Sequence, residues 1–279
     1  NYVYPPQAID DSAITEKNTS VEIDVLANDI TGSAFIPPAS VEFVVGTEPN
    51  PLTEGTFTVN PLTGIVTFTP VSNYLGTVTI DYDICDLNGN CSTATITVIV
   101  SEGVTNLYPA TGFGTLGFED LWPAKGDYDF NDLVLDYQFE IDVNYKNNVE
   151  EVRATFTIKA FGAAFENGFG FQLSDAITPS DLVVSGFDLQ ESFINLEANG
   201  TESGQSIPTI IVYDNTFKQM QHPGVGIGVN TDPIAPYVTP KTLVVTIVFP
   251  VDTYSYNDLD IANFNPFIFV DKNRSVEVH

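Results

Sequence analysis

The sequence predicts an all-β chain of two tandem β-sandwiches, and three observations lead to this fold class. Short runs of Val, Ile, Thr, Phe and Tyr recur along the chain, and these residue types favour strands. The 20 Gly and 18 Pro residues supply turns between the runs. The length of 279 residues exceeds what one small sandwich needs, so two domains are expected.

The chain is strongly acidic, with 37 Asp and Glu against 9 Lys and Arg and a net charge of −28. A field of that sign repels nucleic-acid phosphates and anionic membrane surfaces, so neither is an expected partner. The carboxylates serve either solubility or the binding of divalent cations, and the total charge leaves both explanations open. We found no long apolar run and no signal-peptide pattern. We therefore expect no membrane insertion and a monomeric segment of a larger protein.

The first domain is predicted to span residues 1–103 as a succession of short strands. Apolar and polar residues alternate in each strand, and turn residues separate one strand from the next. The runs lie at residues 21–25, 55–59, 64–69, 78–84 and 94–100. Several short strands at this spacing are typical of a β-sandwich.

Cys85 and Cys91 are the only cysteines, and they flank the turn signal Asn88-Gly89. Cysteines placed across such a hairpin reach the Cα separation that a disulfide requires. The rival is a metal pair, but no second Cys or His pair completes the shell of a zinc ion. We expect a disulfide, which fits an oxidising, extracellular setting.

Three motifs of the first domain carry a family resemblance. They are A-I-D-D (residues 8–11), V-L-A-N-D (25–29) and the strand T-A-T-I-T-V (93–98). Over residues 7–101 the chain resembles the bacterial Ig-like, cadherin-like tandem repeat of large adhesins. The resemblance implies a spacer or stalk function, often with calcium near the repeat junction. Turn capping explains Asp10, Asp11, Asn28 and Asp29 equally well.

The second domain is predicted to span residues 104–279, after a polar linker at 101–106. Its clearest strand is 133–143, where Leu135, Phe139 and Ile141 share one face with other apolar residues while acidic and amide side chains occupy the opposite face. Further strands are expected near 152–160, 168–173, 209–213, 243–249 and 266–270. A jelly-roll-like sandwich, larger than the Ig-like first domain, fits this length.

An acidic stretch just before residue 133 is the most informative part of the sequence. Its oxygen-bearing residues are Glu119, Asp120, Asp127, Asp129, Asn131, Asp132 and Asp136. Carboxylates this close in sequence repel one another unless a cation lies between them. Hard cations with six to eight oxygen ligands suit such a cluster, so these residues predict a Ca²⁺ site.

The loop that starts at Asp127 begins like an EF-hand, D-x-D-x-N, but it departs from that motif in two places. Asp132 occupies the sixth position, which is Gly in an EF-hand, and Gln138 occupies the twelfth, which is a bidentate Glu. The residues that follow are predicted to form a strand rather than a helix. We conclude that the loop is not an EF-hand.

The same stretch carries a second resemblance. F-E-D-L-W-P (118–123) followed by G-D-Y-D-F-N-D-L-V-L-D-Y (126–137) is similar to the signature of the LruC domain. N-P-F-I-F-V (265–270) and the segment 274–279 look like its closing motif. The resemblance covers residues 107–279. It implies a secreted or surface protein of Gram-negative bacteria with a calcium loop, and it implies no ligand.

Other candidate sites are weaker. Trp122 and Tyr128 flank the acidic loop, where they either form a platform that stacks on a sugar or belong to the core. His222 is expected in a loop, because two histidines in the chain are too few for a histidine-based metal site. No G-x-S-x-G elbow follows a strand, and the acids crowd one loop, so neither a nucleophilic triad nor a glycosidase pair is indicated.

Together these features predict a calcium-binding, non-catalytic module of a secreted or cell-surface bacterial protein. Adhesion or ligand binding is the leading hypothesis, with a carbohydrate or a peptide as ligand. The alternative is a purely structural surface module in which calcium only rigidifies the fold.

Overall fold

The computed structural model describes residues 4–123 and 129–279, so Asp127 and Tyr128 lie outside the described residues. The chain divides into two compact units, the first ending at Gly103 and the second beginning at Val104. Both units consist of β-sheets with short helical turns in the connections. The predicted all-β class with two domains is confirmed.

Unit 1 is a sandwich of two sheets. Its strands are β1 (Asp11–Glu16), β2 (Val21–Asp24), β3 (Glu42–Phe43), β4 (Gly55–Val59), β5 (Ile65–Pro70), β6 (Gly76–Cys85) and β7 (Cys91–Ser101). One sheet has the order β1-β7-β6-β3, in which β1 pairs with β7 in parallel, and the other has the order β2-β5-β4. Side chains of alternate positions, among them Val66, Phe68, Ile96 and Val98, are fully buried between the sheets.

The predicted disulfide closes the hairpin of β6 and β7. Cys85 and Cys91 face each other in the strand register, and their sulfur atoms are bonded at 1.97 Å. Asp86 fixes the turn between them, because its Oδ1 accepts hydrogen bonds from the main-chain N–H groups of Asn88 at 2.8 Å and Asn90 at 2.9 Å. The hydrogen bond from the Asn90 side chain is the main reason that the pKa of Asp86 is lowered.

Unit 2 is a larger sandwich. Its strands are β8 (Val104–Tyr108), β9 (Gly114–Phe118), β10 (Leu133–Val143), β11 (Val149–Ala160), β12 (Gly168–Gln172), β13 (Val183–Ser185), β14 (Thr209–Tyr213), β15 (Lys241–Val248), β16 (Asn265–Val270) and β17 (Asn273–Val278), with short helices α1 (Thr216–Gln219) and α2 (Tyr256–Leu259). The larger sheet has the order β13-β15-β11-β10-β8, and β9 also pairs with β10. The smaller sheet has the order β14-β12-β16-β17.

The core of unit 2 forms between these two sheets and is rich in aromatic rings. Phe139 and Phe156 of the larger sheet contact Phe171 of the smaller one, with ring centroids 5.8 and 5.4 Å from it. Strand β10 alternates as predicted, since Leu135, Phe139 and Ile141 are all fully buried.

The structure corrects the predicted linker. Residues 101–106 were expected to form a polar linker, but β7 continues to Ser101 and β8 begins at Val104. Strand β8 belongs to unit 2 because it pairs with β10. The connection is therefore only Glu102 and Gly103. The sequence did not predict β8 as a strand. One face of this edge strand is exposed, so its residues include the polar Thr105 and Asn106.

Candidate metal centre

The candidate metal centre of unit 2 is created by the pairing of β9 with β10. The two strands are antiparallel, and the last residue of β9, Phe118, is the register partner of the first residue of β10, Leu133. The chain therefore leaves and re-enters the sheet at the same place. This geometry brings Glu119 and Asp120, which directly follow β9, next to Asp132, which directly precedes β10.

Glu119, Asp120 and Asp132 form a group of three carboxylates whose ligand atoms all lie within 4.8 Å of one another. Glu119 is only 2% exposed and Asp120 only 5%. Two negative charges at this distance repel by about 3 kcal/mol at an effective dielectric constant of about 20. A divalent cation between the three carboxylates would convert that repulsion into attraction.

The group is held by hydrogen bonds as well as by chain connectivity. The main-chain N–H of Asp120 donates to Oδ2 of Asp132 at 2.8 Å. Nδ2 of Asn167, a residue only 1% exposed, donates to Oδ2 of Asp120 at 3.1 Å. Asn167 Oδ1 accepts from the main chain of Asp271 at 3.2 Å, and its main-chain carbonyl accepts from Thr216 Oγ1 at 2.7 Å. Asn167 thus connects the carboxylates to two other segments of unit 2.

Asn167 was not predicted from the sequence. It lies just before β12, far from the acidic stretch along the chain, and only the packing of the two sheets brings it to Asp120. An isolated Asn followed by Gly is also a common turn signal. Nothing in the local sequence marks it as part of the centre.

The other predicted ligands have different environments. Asp129 is exposed, and its Oδ2 accepts a hydrogen bond from Asn131. Asp136 lies on β10, where Thr115 Oγ1 donates to it at 2.7 Å and the Lys159 ammonium pairs with it at 3.1 Å. Within residues 4–123 and 129–279, neither Asp129 nor Asp136 joins the three-carboxylate group.

The donor set indicates which ion would fit. All three groups are carboxylates, and hard cations such as Ca²⁺ prefer oxygen ligands, whereas zinc prefers nitrogen and sulfur. The three carboxylates converge on one small volume. Ion ligation requires this arrangement, while glycoside hydrolysis requires two acids placed on opposite sides of a bound sugar.

Two aromatic rings stand beside the carboxylates. Trp122 is 46% exposed and Phe130 is 44% exposed, so Trp122 is not a core residue. Their ring centroids are 5.7 Å apart and their planes are tilted by 47°. Phe130 has a left-handed backbone with φ of 51°, which is unusual for a bulky side chain. The sequence pointed to Trp122 but gave no sign that Phe130 is its partner.

The acidic residues of unit 1 make hydrogen bonds that join segments far apart in the sequence. Asp29 Oδ1 accepts from the main chain of Ile9 at 2.8 Å, and Asp10 Oδ1 accepts from that of Thr95 at 2.9 Å. The buried hydroxyl of Tyr82 donates to Oδ2 of Asp11 at 2.8 Å. Partial burial raises the pKa values of both Asp11 and Asp29.

Two family models match the chain. Residues 4–99 match the model described as bacterial Ig domain (Big_9), and residues 147–279 match the domain of unknown function DUF4842. The first domain is Ig-like. The second model carries no activity in its description, and it begins after the carboxylates of the candidate centre.

Solved structures that align with this chain have low identity to it. A candidate lipoprotein from Bacteroides ovatus aligns with a TM-score of 0.43 and 14% identity over 73% of this chain and 71% of that chain. Extracellular cadherin domains 1–5 of protocadherin gamma B2 align with a TM-score of 0.27 and 11% identity, over 90% of this chain and 61% of that chain. A carbohydrate-binding module of the β-sandwich superfamily aligns at 0.22 with 13% identity, over 98% of both chains.

A comparison with curated proteins finds no match. In the part of the chain that the structure describes, no helix is long and apolar enough to cross a membrane.

Proposed function

We propose that this chain is a calcium-binding, non-catalytic module of a secreted or cell-surface bacterial protein, and that it works in adhesion or ligand binding. Unit 1 serves as the Ig-like spacer, and unit 2 carries the calcium ion. The convergence of Glu119, Asp120 and Asp132 is the observation that carries this proposal. The resemblance of residues 107–279 to the LruC domain and the disulfide of unit 1 support an extracellular location.

The charge distribution supports a calcium ion at this point. Glu119 and Asp120 are buried, and together with Asp132 they place three carboxylates in one small volume, where they repel one another unless a cation lies between them. Three carboxylates supply one to two oxygens each, and main-chain carbonyls or water complete a shell of six to eight. Asp127, Asp129 and Asn131 follow in the same connection and are further candidate ligands.

Calcium titration by calorimetry tests the proposal. The parent chain should bind calcium, and Asp120→Asn should weaken the affinity at least about tenfold, because it removes a charged ligand that is held in place by Asn167. Asp136→Asn is the matched control. It removes the same charge from a neighbouring strand, but Asp136 is occupied by Thr115 and Lys159.

The two substitutions separate a specific site from general attraction of calcium by an acidic protein. Weakening in Asp120→Asn alone supports the proposal. Equal weakening in both variants, or no calcium binding by the parent chain, would contradict it.

A structural role for calcium is the second candidate, and the network around Asn167 favours it. This side chain joins Asp120 to the main chain of Asp271, and its carbonyl holds Thr216 at the start of α1. An ion on Asp120 would thereby restrain three segments of unit 2. If calcium only rigidifies the fold, it should raise the stability of unit 2, and no external ligand should depend on it.

A further inference from the structure

A small pocket adjoins the candidate metal centre and shares one residue with it. The pocket has a volume of about 200 Å³. Its walls come from the end of β9, from the loop that follows it and from the last two strands of unit 2. The lining residues used below are Leu116, Glu119, Trp122, Phe130, Pro266 and Val278. We call this the aromatic pocket.

The backbone fixes the two rings at the rim of the aromatic pocket. The main-chain N–H of Trp122 donates to the carbonyl of Glu119 at 3.1 Å. A Cβ atom on Gly117 would lie 2.9 Å from the carbonyl oxygen of Phe130, so glycine at this position lets the Phe130 backbone approach β9. Most phenylalanines of unit 2 are buried in its cores. Two large rings held half exposed next to each other are instead typical of a recognition surface.

The residues that line the pocket are of two chemical kinds, and each kind favours a different part of an occupant. Leu116, Pro266 and Val278 are apolar and accept a carbon surface. Glu119 is a carboxylate that belongs to the group of three proposed to hold calcium. A purely apolar occupant, such as an aliphatic peptide side chain, would leave a calcium ion held by this carboxylate without a further oxygen ligand. The fitting occupant has an apolar ring face and hydroxyl groups on its edge.

We propose that the aromatic pocket binds one ring of a neutral saccharide. The C–H face of the sugar stacks on Trp122 and Phe130, and its hydroxyl groups face the ion proposed at Glu119, whose own carboxylate is buried. The inference rests on the proposed calcium function for its ion contact only. The volume is below the roughly 300–1,000 Å³ of pockets for drug-sized ligands, so it suits a single ring. The net charge of −28 disfavours sialylated and uronic-acid glycans.

A glycan array tests this inference. It carries oligosaccharides that end in neutral hexoses, fucose or N-acetylhexosamines, together with the sialylated counterpart of each. The whole chain is applied with calcium and again with chelator, and an immobilised set of basic and apolar peptides is run beside it. We expect retention on neutral glycans in calcium and loss of retention in chelator. The strongest glycan is then titrated in solution by calorimetry.

Substitutions at the rim identify the site. Trp122→Ala and Phe130→Ala should each weaken the affinity for the glycan about three- to tenfold, which corresponds to the loss of one aromatic contact. Their calcium affinity should stay unchanged, since neither side chain offers an oxygen. Tyr237→Ala is the matched control, because this ring is 74% exposed and does not line the pocket.

The outcomes distinguish the two proposals. Calcium binding without retention on any neutral glycan, or retention on peptides alone, overturns the saccharide inference and leaves the calcium site intact. Glycan binding that persists in chelator and is lost in Trp122→Ala supports the pocket and overturns the contact with the ion. Glycan binding that Trp122→Ala and Phe130→Ala leave unchanged overturns the pocket.

Discussion

Nδ2 of Asn167 lies 3.1 Å from Oδ2 of Asp120 and donates a hydrogen bond to it inside the protein, where Asn167 is only 1% exposed. The two residues are far apart in the sequence: Asp120 lies in the connection from β9 to β10, and Asn167 lies in the connection from β11 to β12. This contact orients one carboxylate of the candidate centre before any ion arrives. It also distinguishes the group from an acidic turn on the surface, whose side chains would be free to turn toward solvent.

The first prediction concerns this contact. Asn167→Ala should weaken calcium binding about ten- to hundredfold, the usual effect of losing a residue that orients a metal ligand. Calorimetry gives the affinity. Asn199→Ala is the control, since Asn199 also uses its side chain to join segments of unit 2, donating from Nδ2 to the main-chain carbonyls of Pro179 and Leu182, but it belongs to another loop. Similar losses of calcium affinity in both variants would mean that general destabilisation, and not ligand orientation, causes the effect.

The second prediction concerns the disulfide of unit 1. The double variant Cys85→Ser/Cys91→Ser should lose about 2 kcal/mol of stability or less, because the bond closes a very short loop. The turn at Asp86 already restricts the same hairpin through its hydrogen bonds. Denaturant unfolding measures the loss, and amides of β12 in unit 2 serve as an internal control. Alkylation of both cysteines in the unreduced parent chain would refute the bond itself.

How far the sequence predicts this protein depends on the kind of feature. Strand β10 was predicted to its ends, because its alternation is complete and one face is buried. The prediction missed strands β1, β3, β8, β9 and β13, because short edge strands have much exposed surface and weak alternation. The local residue pattern predicts where a strand lies and which of its faces is buried. It does not predict which strands pair with each other in a sheet.

The same limit applies to the candidate centre. Glu119, Asp120 and Asp132 were predicted because they are close in sequence, and β9–β10 pairing brings them together. Asp136 was included for the same reason, yet the strand directs it to Thr115 and Lys159. Asn167 was missed because its position depends on the packing of the second sheet.

The third prediction is a pH dependence in unit 1. Partial burial raises the pKa of Asp11 and of Asp29 above the ordinary value. The folded state therefore holds these protons more tightly than the unfolded state does. Unit 1 should lose stability as the pH rises from about 4, the ordinary carboxyl pKa, through the raised native values.

Urea unfolding at several pH values, followed through amide signals of β6 and β7, measures this effect. Asp29→Asn should flatten the pH dependence, since its amide oxygen still accepts the hydrogen bond from Ile9 but carries no titrating charge. Asp24→Asn, at an exposed position on β2, is the control for net charge. A slope that Asp29→Asn leaves unchanged would assign the pH dependence to other carboxylates.

The last prediction is that calcium stabilises unit 2 and not unit 1. Trp122 is the only tryptophan of the chain and lies in unit 2, so its fluorescence follows the melting of that unit alone. Calcium at about 100 times its dissociation constant adds about 2.7 kcal/mol by mass action. For a domain of this size, that energy raises the melting temperature by roughly 5–10 °C.

Magnesium should have a smaller effect, because it demands short, octahedral coordination that three clustered carboxylates do not favour. Asp120→Asn, with its affinity at least about tenfold weaker, should reduce the shift to about half or less, and Asp136→Asn should keep it. Identical melting of the parent chain in calcium and in chelator would show that Glu119, Asp120 and Asp132 form an acidic turn with no resident ion.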